Sequence, residues 1–292
     1  MTAQAAAAIT TGDGEFSLGK LEERDLRAQQ RRSGIVNALR IAIFVAVIGT
    51  WEGAAATGWI DPFFFGRPSG VAHQIWEWVA EGTAQGSLWA QMAVTLEETV
   101  LGFLIGSVAG VVCGIALGRN RFLADVFSIY IKVANSIPRV VLGSIFIISL
   151  GLGMASKVAL AVVMVFFVVF ANAFQGVREA DRAMIANAQI LGASPWQVTT
   201  SVVIPSATSW ILASLHVSFG FALVGAVVGE FLGAKRGIGL LISTAQGAFN
   251  ANGVFAAMVI LAVMALGAEF IITSIEDRLV RWKPAALNEP GA

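Results

Sequence analysis

Two histidines, His73 and His216, and one cysteine, Cys113, are the whole stock of imidazole and thiol in this 292-residue chain. That is too little for a histidine-rich or multi-cysteine metal centre, and one cysteine excludes a disulfide framework. One run imitates a phosphate-binding loop: Gly14-Glu15-Phe16-Ser17-Leu18-Gly19-Lys20. Its lysine is followed by Leu21, not by the Ser or Thr that would hold magnesium, and no strand precedes it. A solvated tail is the better reading. The other groups with chemical potential are charges set in apolar runs: Lys132, Arg139, Glu230 and Glu269. Such charges mark paths, relays or partner charges when the run lies in a membrane. Counted from the helix starts, Lys132 and Glu269 share a shallow depth and could pair; Lys132 could equally snorkel to the surface. Arg139 and Glu230 differ by roughly 10 Å in depth at about 1.5 Å per residue, too far to pair. No metal or cofactor is expected.

Composition says what must position these groups. Hydrophobic residues make up 57% of the chain and charged ones 13%, with a formal net charge of zero. Soluble domains average about 45–50% and about 25%. A chain this apolar cannot cover a soluble surface, and neutrality excludes nucleic-acid binding driven by basic charge. A spanning helix needs about 20 mostly apolar residues. Six stretches approach that length, near Ile35–Trp51, Val94–Leu117, Val126–Leu150, Val158–Phe174, Trp210–Leu232 and Val254–Ser274. Their runs do not alternate, so they read as helices rather than barrel strands. The first could imitate a signal peptide, with basic residues before it and Ala54-Ala55-Ala56 after it. Its apolar run and basic region are too long for that, and a retained anchor fits better.

Orientation follows from Lys and Arg. One side holds twelve: Lys20, Arg24, Arg27, Arg31, Arg32, Arg119, Arg121, Arg178, Arg182, Arg278, Arg281 and Lys283. The other holds four: Arg67, Lys157, Lys235 and Arg236. Both termini are therefore expected in the cytoplasm. The organisation reads as a flexible tail over 1–33, a first span and outer loop over 34–92, a core membrane domain over 93–284 and a tail over 285–292. Within the outer loop, Pro68-Ser69 can start a helix that puts Val71, Ile75, Trp78 and Val79 on one face. Six of the eight tryptophans lie near expected boundaries, which favours an interfacial helix over a substrate site.

Three patterns carry structure into mechanism. Gly102, Gly106, Gly110, Gly114 and Gly118 recur every four residues and leave a strip where another helix can come close. Pro138, within Asn135-Ser136-Ile137-Pro138-Arg139, should kink the third span. The segment Arg182–Val198 then predicts two short helices joined by a sharp turn. Gly192 fits a position beyond a helix C-terminus that needs positive φ. Ser194, Pro195 and Gln197 fit the cap, first turn and capping-box partner of a second helix. Pro205 ends that helix or opens the next span.

This segment resembles the cytoplasmic loop of ABC-transporter permease subunits of the type I importer fold. That family pattern is Glu-Ala-Ala, three residues, Gly, nine residues, then aliphatic, any, aliphatic, Pro. Gly192, Val202, Ile204 and Pro205 occupy its positions, while Ala186-Asn187-Ala188 stands where Glu-Ala-Ala is usual. The ending Ile275–Pro284, Ser136-Ile137-Pro138, and Gly229-Glu230-Phe231-Leu232-Gly233 followed by Gly237-Ile238-Gly239 are similar to the nitrate/sulfonate/taurine branch. That branch often has a second proline six residues after the first, where this chain has Ser144.

The resemblance implies an all-α membrane protein, a six-helix permease bundle in the bacterial inner membrane. It implies ABC ATPase subunits, an external solute-binding protein and a second permease copy as partners, with no nucleic acid. Residues 178–205 would form the coupling loop, with Gly192, Ala193, Ser194, Pro195, Trp196, Gln197 and Pro205 at the ATPase contact. Trp196 would fill the ATPase groove, or else bury against its own loop. Asn135, Ser136, Arg139, His216 and Ser218 are candidates for the path of a small anion such as a sulfonate, nitrate or carboxylate. A structural Arg139, bonded to carbonyls freed by Pro138, competes with that role. An intramembrane enzyme would need a paired nucleophile and base, and only His216 among histidines lies in a span. A standalone carrier would need matching broken helices in two halves, and only Pro138 offers a break.

Overall fold

A computed structural model describes residues 13–279; the ends of the chain, including Arg281, Trp282, Lys283 and Pro284, lie outside the described residues. The helices are α1 (Asp13–Ala56), α2 (Pro62–Phe65), α3 (Pro68–Ala80), α4 (Leu88–Arg119), α5 (Arg121–Ser136), α6 (Leu142–Leu150), α7 (Met154–Arg178), α8 (Arg182–Ile190), α9 (Pro195–Val198), α10 (Ile204–Leu232), α11 (Ile238–Gly247) and α12 (Ala251–Leu279). Among the described residues, five stretches are long and apolar enough to cross a membrane, six if the bent pair α5–α6 counts as one.

The chain divides into two compact units, Met1–Pro62 and Phe63–Ala292. In the first, α1 begins at Asp13, so residues 13–33 are helical. Their Leu, Glu, Arg, Ala and Gln content favours that state. Along its apolar part Ile35, Leu39, Ile41, Phe44 and Val45 are exposed, as lipid-facing residues would be.

In the second unit the glycine strip finds its partner. A Cβ at Gly106, Gly110, Gly114 or Gly118 would meet Val165, Val169, Ala173 or Val177 of α7 at 2.7–2.9 Å, and at Gly102 it would overlap Ala161. Both series step by four in the same direction, so α4 and α7 are parallel and in near backbone contact. α10 runs the other way: Gly225 packs on Ala161, Gly229 on Lys157, and Gly176 on Ala207. Ala161, fully buried, is gripped by glycines from both sides.

Parallel α4 and α7 require the chain between them to return along the bundle. The bent pair α5–α6 does this, with a 76° bend. The expected kinked third span is thus a broken one. Ile137 takes extended backbone (φ −76°, ψ 126°), as the residue before a proline prefers, and Pro138 follows with ψ 104°. Helix resumes only through a tight turn at Arg139–Val141.

One end of this unit gathers α3, α11 and the starts of α4 and α12. Leu88, Ile238, Leu241, Ala257 and Ile260 form its apolar core, with Ile75 and Trp78 of α3 packed on it. The expected face of α3 holds for Val71, Ile75 and Trp78, but Val79 is exposed. α11 was not foreseen. It is too short for a span, and its buried Ile238, Leu241 and Ala245 sit in what reads as a loop.

Candidate functional site

The opposite end carries the turn predicted around Gly192. Asp181 caps α8, its carboxylate accepting from the Ala183 N–H at 2.7 Å. The helix stops in a two-bond C-terminal motif. Ala193 N–H donates to the Ala188 carbonyl and Gly192 N–H to that of Gln189, both at 3.0 Å. Gly192 has φ +84°, the left-handed region such a stop needs. Two residues on, Ser194 and Gln197 form a reciprocal capping box: Gln197 N–H donates to Ser194 Oγ at 3.3 Å and Ser194 N–H to Gln197 Oε1 at 2.8 Å. Pro195 opens α9. Arg119, at the end of α4, donates to the Pro195 carbonyl at 3.4 Å.

α9 does not end before the span. A π-helical turn, Thr199–Val203, joins it to α10, so Pro195–Leu232 is one helix of 38 residues. Pro205 falls just after the widened turn, where its missing N–H and bulky ring are tolerated. The turn is anchored from beneath by Val177, Ala180, Val198, Val203 and Ala207. Its outer surface is apolar: Ile190 is 82% exposed, Leu191 86% and Trp196 69%. Trp196 is therefore not folded into its own loop. Ala186, at the position where the family pattern has Glu, is exposed.

The five path candidates fall into three places. Asn135 and Ser136 are exposed at the end of α5. Arg139 donates to Asn135 Oδ1 at 2.7 Å and lies over the Phe167 ring at 4.9 Å. Its bond is to a side chain, not to a carbonyl freed by Pro138. His216 of α10 sits 3.1 Å from Glu269 of α12. Glu269 thus pairs with His216, and the Lys132–Glu269 pair does not form; Lys132 is exposed. Ser218 is fully buried in the helix interface, and its Oγ has no hydrogen-bond partner among the described residues.

A fourth polar group was missed. Gln91, Thr95 and Glu98 of α4, Lys157 of α7 and Glu230 of α10 are each at most 3% exposed. Gln91, Thr95 and Glu230 secure the start of α11. Gly237 N–H donates to Gln91 Oε1 at 2.8 Å, Ile238 N–H to Thr95 Oγ1 at 2.9 Å and Gly239 N–H to Glu230 Oε2 at 2.6 Å. Thr95 Oγ1 donates in turn to Glu230 Oε1 at 2.7 Å. Gly237 has φ +113°, and a Cβ there would overlap the Glu230 carboxylate. Lys157 Nζ donates to the carbonyls of Leu152 and Gly153 at 2.7 and 3.2 Å. The sequence carried a signal for this group: positions 91, 95 and 98 lie on one helical face, which continues into the glycine strip at 102.

An all-helical bundle of parallel and antiparallel spans, broken once and ending in a capped, exposed turn, is the architecture of an ABC importer permease. The chain matches a subunit in inward-facing structures of the MetNI methionine ABC transporter with TM-score 0.57 at 20% identity, covering 66% of this chain and 94% of that one. It belongs to the family of binding-protein-dependent transport system inner membrane components, whose model matches residues 102–281. Similar curated proteins include the riboflavin transport permease RibX of Chloroflexus aurantiacus, 29% identical over 88% of this chain and 94% of that protein. The taurine transport permease TauC of Escherichia coli is 26% identical over 90% and 96%. The aliphatic sulfonates permease SsuC of Bacillus subtilis, a putative assignment by its own name, is 25% identical over 81% and 84%. The chain is thus a multi-pass inner-membrane transport subunit and not an enzyme; a separate subunit hydrolyses ATP.

Proposed function

We propose that the turn at Gly192 is the contact through which the ATPase drives this permease, and that the transported solute is a small anion. In this reading the turn faces the cytoplasm and a loaded binding protein docks at the α3–α11 end. A second permease chain completes the passage. ATP binding draws the ATPase pair together, and α9 carries that motion into the spans. Each ligand shifts the inward–outward equilibrium only by its differential affinity for the two states.

The observation that carries the coupling role is the exposure of Ile190, Leu191 and Trp196 on a turn locked at both helix ends. Large apolar groups held in fixed positions form a contact surface for another protein. Gly192→Asp tests it. Any side chain at φ +84° costs about 1 kcal/mol. Nothing lies within 4 Å of a Cβ there, so the chain should still fold and insert. Uptake in vesicles should fall severalfold while ATPase association weakens or hydrolysis runs uncoupled. Normal uptake with normal ATPase stimulation defeats the role.

The anion reading rests on Arg139, held by Asn135 and Phe167 at the break between α5 and α6, and on the solutes named for the taurine and sulfonate relatives. The riboflavin relative favours a larger aromatic solute instead. A thermal-shift screen of the matching binding protein with taurine, alkanesulfonates, nitrate and riboflavin separates the two.

A further inference from the structure

Three arginines line one cavity of about 220 Å³ beside the capped turn. Arg119 ends α4, Arg178 ends α7 and Arg182 opens α8. We infer that together they bind the phosphate of an anionic phospholipid.

Packing sets their common level. Gly118 lies against Val177, so the last residues of the parallel α4 and α7 end side by side. Both helices are apolar spans up to that point. Their two guanidiniums therefore stand where hydrocarbon gives way to headgroups. The chain turns at Ala180 and Asp181, and α8 brings Arg182 to the same cavity. Its floor is apolar, made by Ala124, Val177 and Ile185. Phe122, two residues before Ala124, is 74% exposed and offers apolar surface to an acyl chain.

The cavity has cations but no counter-charge. Among the described residues, none of the three arginines forms an ion pair. The neighbouring carboxylates are engaged elsewhere: Glu179 accepts from Gln175 Nε2 at 2.8 Å and Asp181 from the Ala183 N–H at 2.7 Å. Arg119 makes one long bond, to the Pro195 carbonyl at 3.4 Å, and Arg178 lies over the Phe174 ring at 5.4 Å. Most of their N–H donors stay open. Helix polarity accounts for Arg119 and Arg178, since cations suit a helix C-terminus. It does not account for Arg182, which sits at the positive end of α8 and faces two like charges. An anion between the three offsets that repulsion. Guanidinium forks take phosphate oxygens in pairs, and basic pockets at the headgroup level of spans suit acidic lipids. A soluble phosphate offers the same oxygens, but the apolar floor and the place at the span ends favour the lipid. Arg119 also holds the Pro195 carbonyl, so the bound lipid bears on the turn itself.

Native mass spectrometry tests this on the full chain released from nanodiscs that hold phosphatidylglycerol and phosphatidylcholine in equal amounts. Wild type should retain phosphatidylglycerol in preference. Arg182→Gln should weaken that retention about fivefold, and glutamine at all three positions about a hundredfold. The three side chains are exposed, so the variants should fold, and a thermal melt on the same samples checks this. Arg67→Gln, at the other end of the unit, should lose nothing. The proposal is overturned if wild type retains the two lipids alike, or if the triple variant keeps the preference. It is also overturned if inorganic phosphate raises the melting temperature of wild type but not of the triple variant while phosphatidylglycerol raises neither. That outcome would make the ligand a soluble anion. Loss of the retained lipid once ATPase subunits are bound would overturn it too, and would give the arginines to that interface.

Discussion

Arg139 is where one side chain decides between transport and support. Its guanidinium bridges the broken span to α7 through Asn135 and Phe167. A charge at the centre of a lipid-facing helix costs at least about 2.5 kcal/mol on insertion scales, so a half-buried position against α7 suits it. Arg139→Gln keeps a donor for Asn135 but removes the charge. If Arg139 guides an anion, uptake of that solute should slow about tenfold or more while assembly and basal ATPase activity stay intact. If it only supports the break, the variant should transport normally and melt lower by an amount matching one cation–π contact, about 1–2 kcal/mol. Uptake kinetics and a thermal melt on the same preparation distinguish these. His216 and Glu269 teach a related lesson. Depth counting allows Glu269 to pair with Lys132 as readily as it lets Lys132 snorkel, because it treats helices as independent rulers. The side on which a residue faces is set by packing, and α10 reaches Glu269 first.

The helix pair α4–α7 shows what was legible at the scale of elements. Five glycines at a spacing of four announce a close partner, and that partner exists in matching register. What the sequence left open is which helix it would be, because Ala161, Val165, Val169, Ala173 and Val177 look like any lipid-facing apolar series. Gly110→Val should show how tight the contact is. Its Cβ would lie 2.9 Å from that of Val169 and 3.0 Å from the Phe166 carbonyl, so backbone must shift. Overpacking of this kind costs about 1–3 kcal/mol. A thermal melt in detergent should fall accordingly, whereas Gly267→Val on α12, with nothing within 4 Å, should change it little. The capped turn was legible for a different reason. Gly192, Ser194, Pro195 and Gln197 each have few alternative uses at that spacing, so local chemistry alone fixes the geometry. The bend at Pro138 was legible in place but not in size. A proline dictates a lost hydrogen bond, while the 76° depends on what the two halves pack against. α11 and its buried polar clasp stayed hidden because their bonds join residues more than 130 positions apart, Gln91 and Thr95 to Gly237 and Ile238.

For the whole molecule, orientation decides which end meets which compartment. The excess of Lys and Arg is the ground for proposing that the turn end faces the cytoplasm. Single cysteines at Ser87 and Ser194, with Cys113 replaced, report this directly. Both positions are exposed, one at each end of the second unit. An impermeant thiol reagent outside intact cells should label position 87 and spare position 194. The reverse pattern would turn the molecule over, and would move the proposed ATPase contact to a compartment without ATP.

The unbroken helix from Pro195 to Leu232 has one more implication. Over 38 residues it extends about 57 Å, with Trp196 near one end and Glu230 near the other. What such a rod transmits is phase as well as distance, since each residue adds about 100° of rotation. The π turn at Thr199–Val203 acts as a one-residue phase shifter, a wide turn that sets the bearing of Trp196 relative to everything beyond Pro205. Removing one residue there would restore α-helical winding and swing Trp196 about a quarter-turn around the axis, leaving the membrane part untouched. The angular setting of Trp196 is thus written in a single surplus residue, and insertions or deletions in this helix should be tolerated in whole turns rather than residue by residue.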